Sequence, residues 1–339
     1  MSDNPKITVI TVTYNAEKYL RQTIESVINQ TYGNIEYIII DGGSTDGTAD
    51  IIREYEEHIS YWISEPDDGI YDAMNKGIEA ASGDWINFMN AGDSFYNQNV
   101  LENINFISTE YDLIAGRELI KQENGSFVEF EMLGLDFVNK GNFCRHQALF
   151  IRSSLMKKYK YDTQFRIGAD YDFMLKCYMN GYKFKFIDEI VDVFIDGGVS
   201  ASDSTTGSIE ALYIQNKYFG SIELDGNQFY NSLLSENPNS RIMFAQSFSR
   251  LFNHVLSLQC YQKIVLYGNG TVSQMIQKLM PDNILTYVDL NDPKHPPEKL
   301  RNITFDKVVI TVLGREREII DYLKKEIMIS ADDILCLEF

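Results

Sequence analysis

Four short segments put carboxylates and small polar residues just where apolar runs end. They are Thr11-Val-Thr-Tyr-Asn15, Asp41-Gly-Gly-Ser-Thr-Asp46-Gly, Asp67-Asp68-Gly-Ile-Tyr-Asp72-Ala-Met-Asn-Lys-Gly77 and Asn90-Ala-Gly-Asp93. A glycine beside a strand end lets the main chain approach a ligand, and a carboxylate there can accept from a base N–H or a ribose hydroxyl. The adjacent pair Asp67-Asp68 costs energy unless a cation, hydrogen bonds or a ribose satisfies it. Asp93 offers a hard oxygen suited to Mg2+ or Mn2+ held jointly with a diphosphate, whose oxygens and waters fill the rest of the shell. Each segment alone has an ordinary reading as a turn, a helix cap or a solvated loop. Their order along one chain points instead to a nucleoside diphosphate and a divalent cation.

Two further places carry candidate chemistry. Asp170 and Asp172 open a segment, Ala169 to Met179, with helical spacing through Phe173, Leu175, Cys177 and Tyr178, and Asn180-Gly181 supplies a stop. Residues two apart do not share a helical face, so the two acids have different roles. The helix N-terminus favours the ionised form of Asp170. His146-Gln147 precedes a predicted strand, and a lone His is more often a satisfied structural residue than a ligand.

The elements that must position these residues alternate. Ile7–Val12, Tyr37–Ile40, Tyr61–Ser64 and Asp84–Met89 read as strands. Between them Ala16–Gln30, Thr45–Tyr55 and Tyr71–Ala81 read as helices, giving the βα rhythm of an open, mostly parallel sheet. Asp41, Asp67, Asp68 and Asp93 follow strand ends and are expected to face one crevice. Glu118 to Glu131 alternates like a hairpin, Ala148–Ile151 reads as a strand, and Ser200 to Thr206 as a loop. The rhythm restarts after Tyr261 with strands at Lys263–Tyr267, Leu285–Leu290, Lys307–Val312 and Ile334–Glu338, and helices at Gly270–Met280 and Arg315–Lys325. The expected domains are a catalytic α/β domain over 1–208, a helical connector over 209–260 and a small Rossmann-like α/β domain over 261–339. In the last, Gly268-Asn-Gly270-Thr-Val-Ser273, with Asp289 at a following strand end, resembles a dinucleotide fingerprint with Ser for its third Gly. One mononucleotide half alone favours a structural or oligomerising role.

Composition narrows the classes. The 339 residues are 44% hydrophobic and 23% charged, ordinary for a globular protein longer than one domain. A net charge of −19 disfavours nucleic acid, whose phosphates need clustered Lys and Arg. Lys157-Lys-Tyr-Lys160 is the one candidate for peripheral membrane contact, against the ordinary reading of a solvated helix face. Cys144, Cys177, Cys260 and Cys336 lack paired spacing and read as buried small hydrophobes in a reducing compartment. With no signal-like N-terminus and no long apolar run, the expected place is the cytoplasm or the inner face of a membrane.

Residues 5 to about 200 resemble the family 2 glycosyltransferases of the GT-A fold that build bacterial cell-surface polysaccharides. The resemblance rests on the four segments above, on His146-Gln-Ala148, on Gly168-Ala-Asp170-Tyr-Asp172 and on Gly197-Gly-Val-Ser200. It implies an inverting transfer from a nucleotide-sugar donor, a UDP-sugar, to a hydroxyl of a saccharide or lipid-linked acceptor. It places Asp41 on the nucleotide base, Thr11, Tyr14 and Asp68 in the nucleoside pocket, Asp93 on Mg2+ or Mn2+, and Asp170 as the general base. His146, Gln147 and Asp172 stand as acceptor-side or supporting residues. Four positions depart from the family pattern: Asn90 and Gly92 stand where acids often occur, Ala169 replaces the Glu before the base, and Met74 replaces an Arg, leaving Lys76 or the cation to meet phosphate charge. A nucleotidyltransferase would carry a Gly-rich basic phosphate loop, absent between Ile7 and Tyr14. A catalytically inactive nucleotide-sugar-binding or scaffold protein is the other reading, against which Asp93 and Asp170 are both retained.

Overall fold

The computed structural model describes residues 4–107, 110–122, 124–130, 132–195, 204–220, 222–223, 225–236, 255, 257–269, 273, 276–277, 280–311 and 316–337. The Gly197–Ser200 segment lies outside them, as does most of the helix expected over Gly270–Met280. Contacts divide the chain into two units, Met1–Tyr230 and Asn231–Phe339.

In the first unit every residue of β1 (Ile7–Thr13) is buried. A strand covered on both faces needs no polar alternation, which is why this one reads as a continuous β-branched run. It pairs in parallel with β2 (Ile35–Asp41) and β4 (Trp85–Phe88), and β2 pairs in parallel with β3 (Tyr61–Ser64). Successive side chains leave on opposite faces. Ile10 and Val12 join a core with Met74 and Ile78 of α3 (Ile70–Ala80), whereas Ile7 and Val9 join one with Leu20, Ile24 and Val27 of α1 (Leu20–Ile28). The remaining connection carries α2 (Thr48–Glu54), and the whole arrangement sends the C-terminal ends of β1, β2, β3 and β4 to one edge.

Beyond β4 the sheet continues through β8 (Leu149–Arg152), β6 (Leu113–Lys121), β9 (Phe184–Ile195) and β5 (Ser94–Phe95), with β7 (Phe127–Glu129) on β6. Here β4–β8, β8–β6, β6–β7 and β9–β5 are antiparallel, so the parallel order of the first four strands gives way to a mixed sheet. Strand β9 escapes a sequence reading because most of its residues are only half-buried, so it shows neither a continuous apolar run nor clean alternation. The short helices α4 (Val100–Asn103) and α5 (Ser153–Tyr159) follow strands, and α6 (Ala169–Met179) begins at the expected residue. Helix α7 (Ser204–Phe219) starts where a loop to Thr206 was expected, and it packs on α6 within the first unit rather than standing apart as a connector. Its successor α8 (Gln228–Glu236) runs across the boundary at Tyr230.

Gly77 shows how tightly α3 sits on the sheet. A Cβ there would lie 2.5 Å from Ile10 Cγ2 and 3.5 Å from Ile40 Cγ1. Alanine favours a helix by about 1 kcal/mol over glycine, but overpacking a filled core costs about 1–3 kcal/mol. Gly77→Ala is therefore expected to lower the urea midpoint with its slope unchanged; a midpoint at or above the parent's would show that the helix can shift to absorb the methyl.

The second unit holds a four-stranded, all-parallel sheet ordered β11 (Ile284–Val288), β10 (Ile264–Tyr267), β12 (Lys307–Ile310) and β13 (Ile334–Cys336). Helix α9 (Glu316–Tyr322) runs into a wider turn over Leu323–Ile327. Asp289 follows β11, and its carboxylate accepts from the backbone N–H groups of Asn269 (3.2 Å) and Asn291 (2.8 Å), tying the Gly268-Asn269 turn to the next strand end.

One surface expectation changes. Cys144 and Cys177 are buried, but Cys260 is exposed and Cys336 half-buried. In the Lys157–Lys160 segment, Lys157 Nζ donates to Ala81 O, Lys158 Nζ donates to Tyr182 Oη and lies over the Tyr159 ring, and Lys160 pairs with Glu79. Each ammonium is already engaged locally. Among the described residues no helix is long and apolar enough to cross a membrane.

Candidate active site

The strand order β3-β2-β1-β4 puts two groups of polar side chains on either side of the C-terminal end of β1. On the β2 side, Asp41 ends its strand and is fully buried. Its carboxylate accepts from the Ser44 backbone N–H (3.0 Å) and from the hydroxyls of Ser44 and Ser64. Gly43, at φ 78°, makes the turn that permits this. Gly42 lies tight against both neighbours: a Cβ on it would sit 2.4 Å from Asp67 Oδ2 and 3.4 Å from Tyr14 Cδ2. Tyr14 is 64% exposed, so its ring is free to cover a flat ligand.

Within this group the structure rearranges several expected roles. Thr11 lies two residues inside β1, wholly buried, with its hydroxyl donated to Met89 O (2.7 Å) and 3.0 Å from Tyr37 Oη. It holds strands together and does not line an open pocket. Asp67, not Asp68, turns towards Gly42, and its Oδ1 accepts from Gly69 N at 2.9 Å. Asp68 lies exposed in the bend before α3, where its backbone N–H donates to Asp72 Oδ2 at 3.2 Å. Lys76 pairs with Glu65 (2.9 Å) and Asp72 (3.5 Å), so its charge is already met. Met74 is fully buried in the core.

On the β4 side lies a connected network. Asp170, at the second position of α6, accepts from the Tyr171 backbone N–H at 2.9 Å on Oδ1. Tyr71 of α3 stands 3.1 Å from the same oxygen and also donates to Ile167 O, bridging the donor half of the sheet to the turn before α6. His146 Nδ1 lies 3.0 Å from Asp170 Oδ2, and His146 Nε2 lies 3.2 Å from Asn90 Nδ2. The next residue, Gln147, donates its side-chain amide to Asp93 Oδ2 at 3.3 Å, and its backbone carbonyl accepts from Asn87 Nδ2. The dipeptide His146-Gln147 thus ties one candidate carboxylate to the other.

The two carboxylates titrate in opposite directions. Burial alone would push Asp170 up, but the hydrogen bond and charge of His146, then the Tyr171 N–H and the Tyr71 hydroxyl, hold it below the ordinary carboxylate value. Burial pushes Asp93 up to about 7, with His146 and Gln147 pulling the other way. Near Asp93 two more acids are enclosed. Glu118 and Asp192 are register partners across β6 and β9, both at most 1% exposed, and none of their carboxylate oxygens finds a hydrogen-bond partner among the described residues. Arg145 Nε lies 3.2 Å from Glu118 Oε1, an ion pair without hydrogen-bond alignment. Burial raises both acids, Asp192 furthest. Among the described residues no three His, Cys, Asp or Glu side chains are placed to hold a metal ion.

Asp172 is not part of this network. It is fully buried on the other face of α6, 2.6 Å from Lys217 Nζ and 3.3 Å from Lys176 Nζ, with Tyr218 donating to it at 3.1 Å. It anchors α7. From α7 Glu210 returns the favour: its buried carboxylate accepts from the backbone N–H groups of Arg166 (2.9 Å), Ile167 (2.8 Å) and Gly168 (2.8 Å), fixing the turn that presents Asp170.

The profile of Glycosyl transferase family 2 matches residues 8–169. A PGL/p-HBAD biosynthesis glycosyltransferase of Mycobacterium bovis is 32% identical over 186 residues, 52% of this chain and 71% of that protein. The chain belongs to glycosyl transferase family 2. An uncharacterised glycosyltransferase of Methanocaldococcus jannaschii is 30% identical over 203 residues, 56% of this glycosyltransferase and 70% of the archaeal chain. Two solved structures share its fold: S. aureus TarS 1-349 in complex with UDP-GlcNAc (TM-score 0.56, 18% identity, 75% of this chain and 81% of that one), and the mannosyltransferase PcManGT of Pyrobaculum calidifontis in complex with GDP-Man and Mn2+ (TM-score 0.52, 16% identity, 81% and 85%).

Several residues of this glycosyltransferase's site were not singled out from sequence. Tyr71 sits inside a recognised segment, but its partner Asp170 is 99 residues away. Glu118 and Asp192 lie on strands where a charged residue reads as solvent-facing. Arg145 is the neighbour of His146, the one available hint.

Proposed function

We propose that this glycosyltransferase moves a sugar from a nucleoside-diphosphate donor, a UDP-sugar, to a hydroxyl of a saccharide or lipid-linked acceptor in surface polysaccharide synthesis, with inversion at the anomeric carbon. The observation that carries the reading is the joining of Asp170 and Asp93 through His146-Gln147 at the open ends of β1 and β4. Asp170 accepts the hydroxyl proton as the acceptor oxygen forms its bond to the anomeric carbon, and the bond from that carbon to the diphosphate breaks. Held below the usual carboxylate range, Asp170 is ionised at neutral pH; it is a weak base and works through placement. Asp93 is the residue that would hold Mg2+ or Mn2+, which when bound neutralises charge on the departing diphosphate. Tyr14, Gly42 and Asp67 shape the nucleoside end, with Asp41 setting the loop beneath it.

The test is nucleoside-diphosphate release from a panel of UDP-, GDP- and dTDP-sugars with Mn2+, with and without saccharide acceptors. Release stimulated by an acceptor supports transfer. Tight donor binding without release would favour the inactive nucleotide-sugar-binding reading. The nucleoside position has its own check, since Gly42→Ala puts a methyl group against Asp67 and Tyr14. UDP affinity measured calorimetrically should fall about tenfold or more, about 1.4 kcal/mol. Unchanged affinity would place the base elsewhere.

A further inference from the structure

We propose that His146 is a positioning residue that sets Asp170 for proton transfer from the side of the protein carrying Asp93, through the chain Asn90–His146–Asp170. The inference rests on Asp170 being the base, as argued above. Its geometry is a line of three side chains: Asn90 Nδ2 to His146 Nε2 at 3.2 Å, and His146 Nδ1 to Asp170 Oδ2 at 3.0 Å. The ring gives the proton on Nδ1 to the carboxylate, and its Nε2 edge faces the Asn90 amide. His146 and Asp170 side chains are 16% and 14% exposed, so water competes little for this bond.

The other ties on Asp170 leave this task open. The single Tyr71 hydroxyl proton is shared with Ile167 O, its nearer acceptor, and the Tyr171 N–H reaches only Oδ1. Oδ2 is steered by His146 alone among the interactions found at that oxygen. Asn90 belongs to the same short segment as Asp93, and Gln147, next to His146, contacts Asp93 directly. The base is thus oriented by the loop that would meet the donor diphosphate. A misplacement of about 1 Å in such a group can lower a rate about 10²-fold.

The charges around the pair set the direction of its pH response. Asp170 faces His146, Tyr71, Tyr161 and Cys144; His146 faces Asp170, Asp93 and Glu118, with Arg145 beside Glu118. Burial pulls the imidazole down, but the Asp170 hydrogen bond and the charges of Asp170, Asp93 and Glu118 raise it above the ordinary His value. His146 in turn lowers Asp170, so removing the imidazole raises the base's pKa. The rate, which needs Asp170 ionised, then begins to fall at a higher pH.

Two substitutions separate positioning from packing. An Asn side-chain nitrogen superposes on Nδ1, so H146N keeps a donor to Asp170, whereas a Gln nitrogen superposes on Nε2 and leaves Asp170 Oδ2 without that donor. In the full chain H146Q is expected to lower kcat about 10²-fold, with donor KM and calorimetric UDP–Mn2+ affinity unchanged. H146N should recover most of that loss. Both variants should show the acid limb of kcat moved to higher pH. Equal kcat for H146Q and wild type, with D170N inactive, would overturn the positioning role and leave the base in place. Equal losses in H146Q and H146N with unmoved acid limbs would reduce His146 to packing and overturn it too. A D170N variant that transfers at the wild-type rate would remove the base assignment, and this inference with it.

Discussion

Asp170→Asn is expected to slow sugar transfer by roughly 10²- to 10⁴-fold, the range for a removed general base. The amide is the same size as the carboxylate and its oxygen can still accept from Tyr71 and the Tyr171 N–H, so the turn fixed by Glu210 keeps its shape. What it loses is the lone pair that takes the acceptor proton. Donor binding should survive, because Tyr14, Asp41, Gly42, Asp67 and Asp93 lie on other elements, ahead of residue 94. Initial rates with saturating donor, beside calorimetry with UDP and Mn2+, separate the two effects. Near-parental transfer would end the assignment. The next acid along α6, Asp172, could not inherit the role from its present place, since it is wholly buried against Lys217 and Lys176.

Asp93→Asn should combine a large loss of function with a gain in stability. Burial pushes Asp93 up to about 7 from an ordinary 3.8, so the folded chain keeps a proton that the unfolded chain releases between those values. Stability therefore declines as pH rises through that window, by at most on the order of 4 kcal/mol from this group. An amide carries no such penalty. Without metal, Asp93→Asn is expected to melt higher than wild type at pH 8, with the gap closing towards pH 4. Adding UDP and Mn2+ should then raise the melting temperature of the wild type and leave the variant nearly unmoved. Transfer should drop by about 10²- to 10³-fold, the size of effect seen when one stabiliser of developing charge is deleted. A variant that melts like wild type at pH 8 would show that Asp93 is not held in a desolvated state, and full activity would release it from the cation.

The stability penalty and the functional loss come from one arrangement. A buried carboxylate with a single side-chain donor, Gln147, and two buried acids nearby whose oxygens accept no hydrogen bond among the described residues, Glu118 and Asp192, is unfavourable until positive charge arrives. In wild type, donor and cation binding would relieve it.

From sequence alone the α/β class, the four parallel strands of the first half, the start of α6 at Ala169 and the family were legible. Each is written locally: in a run of buried β-branched residues, in a 3.6-residue rhythm, or in a short motif whose spacing a single strand end dictates. That Asp170 and Asp172 leave different faces of α6 also followed from helical periodicity, and the structure gives them different partners, His146 and Lys217. Which acid of the Asp67-Asp68 pair turns inward, why Thr11 is spent on Tyr37 and Met89, and why Lys76 is unavailable were decided only by the tertiary fold. So were the joining of His146 to Asp170 across 24 residues, of Tyr71 to Asp170 across 99, and of Glu118 to Asp192 across the β6–β9 ladder. Local spacing governs backbone conformation because its hydrogen bonds close within a few residues, but the direction of a side chain at a strand end depends on which distant partner reaches it first. Sheet order and burial, not sequence neighbours, choose that partner.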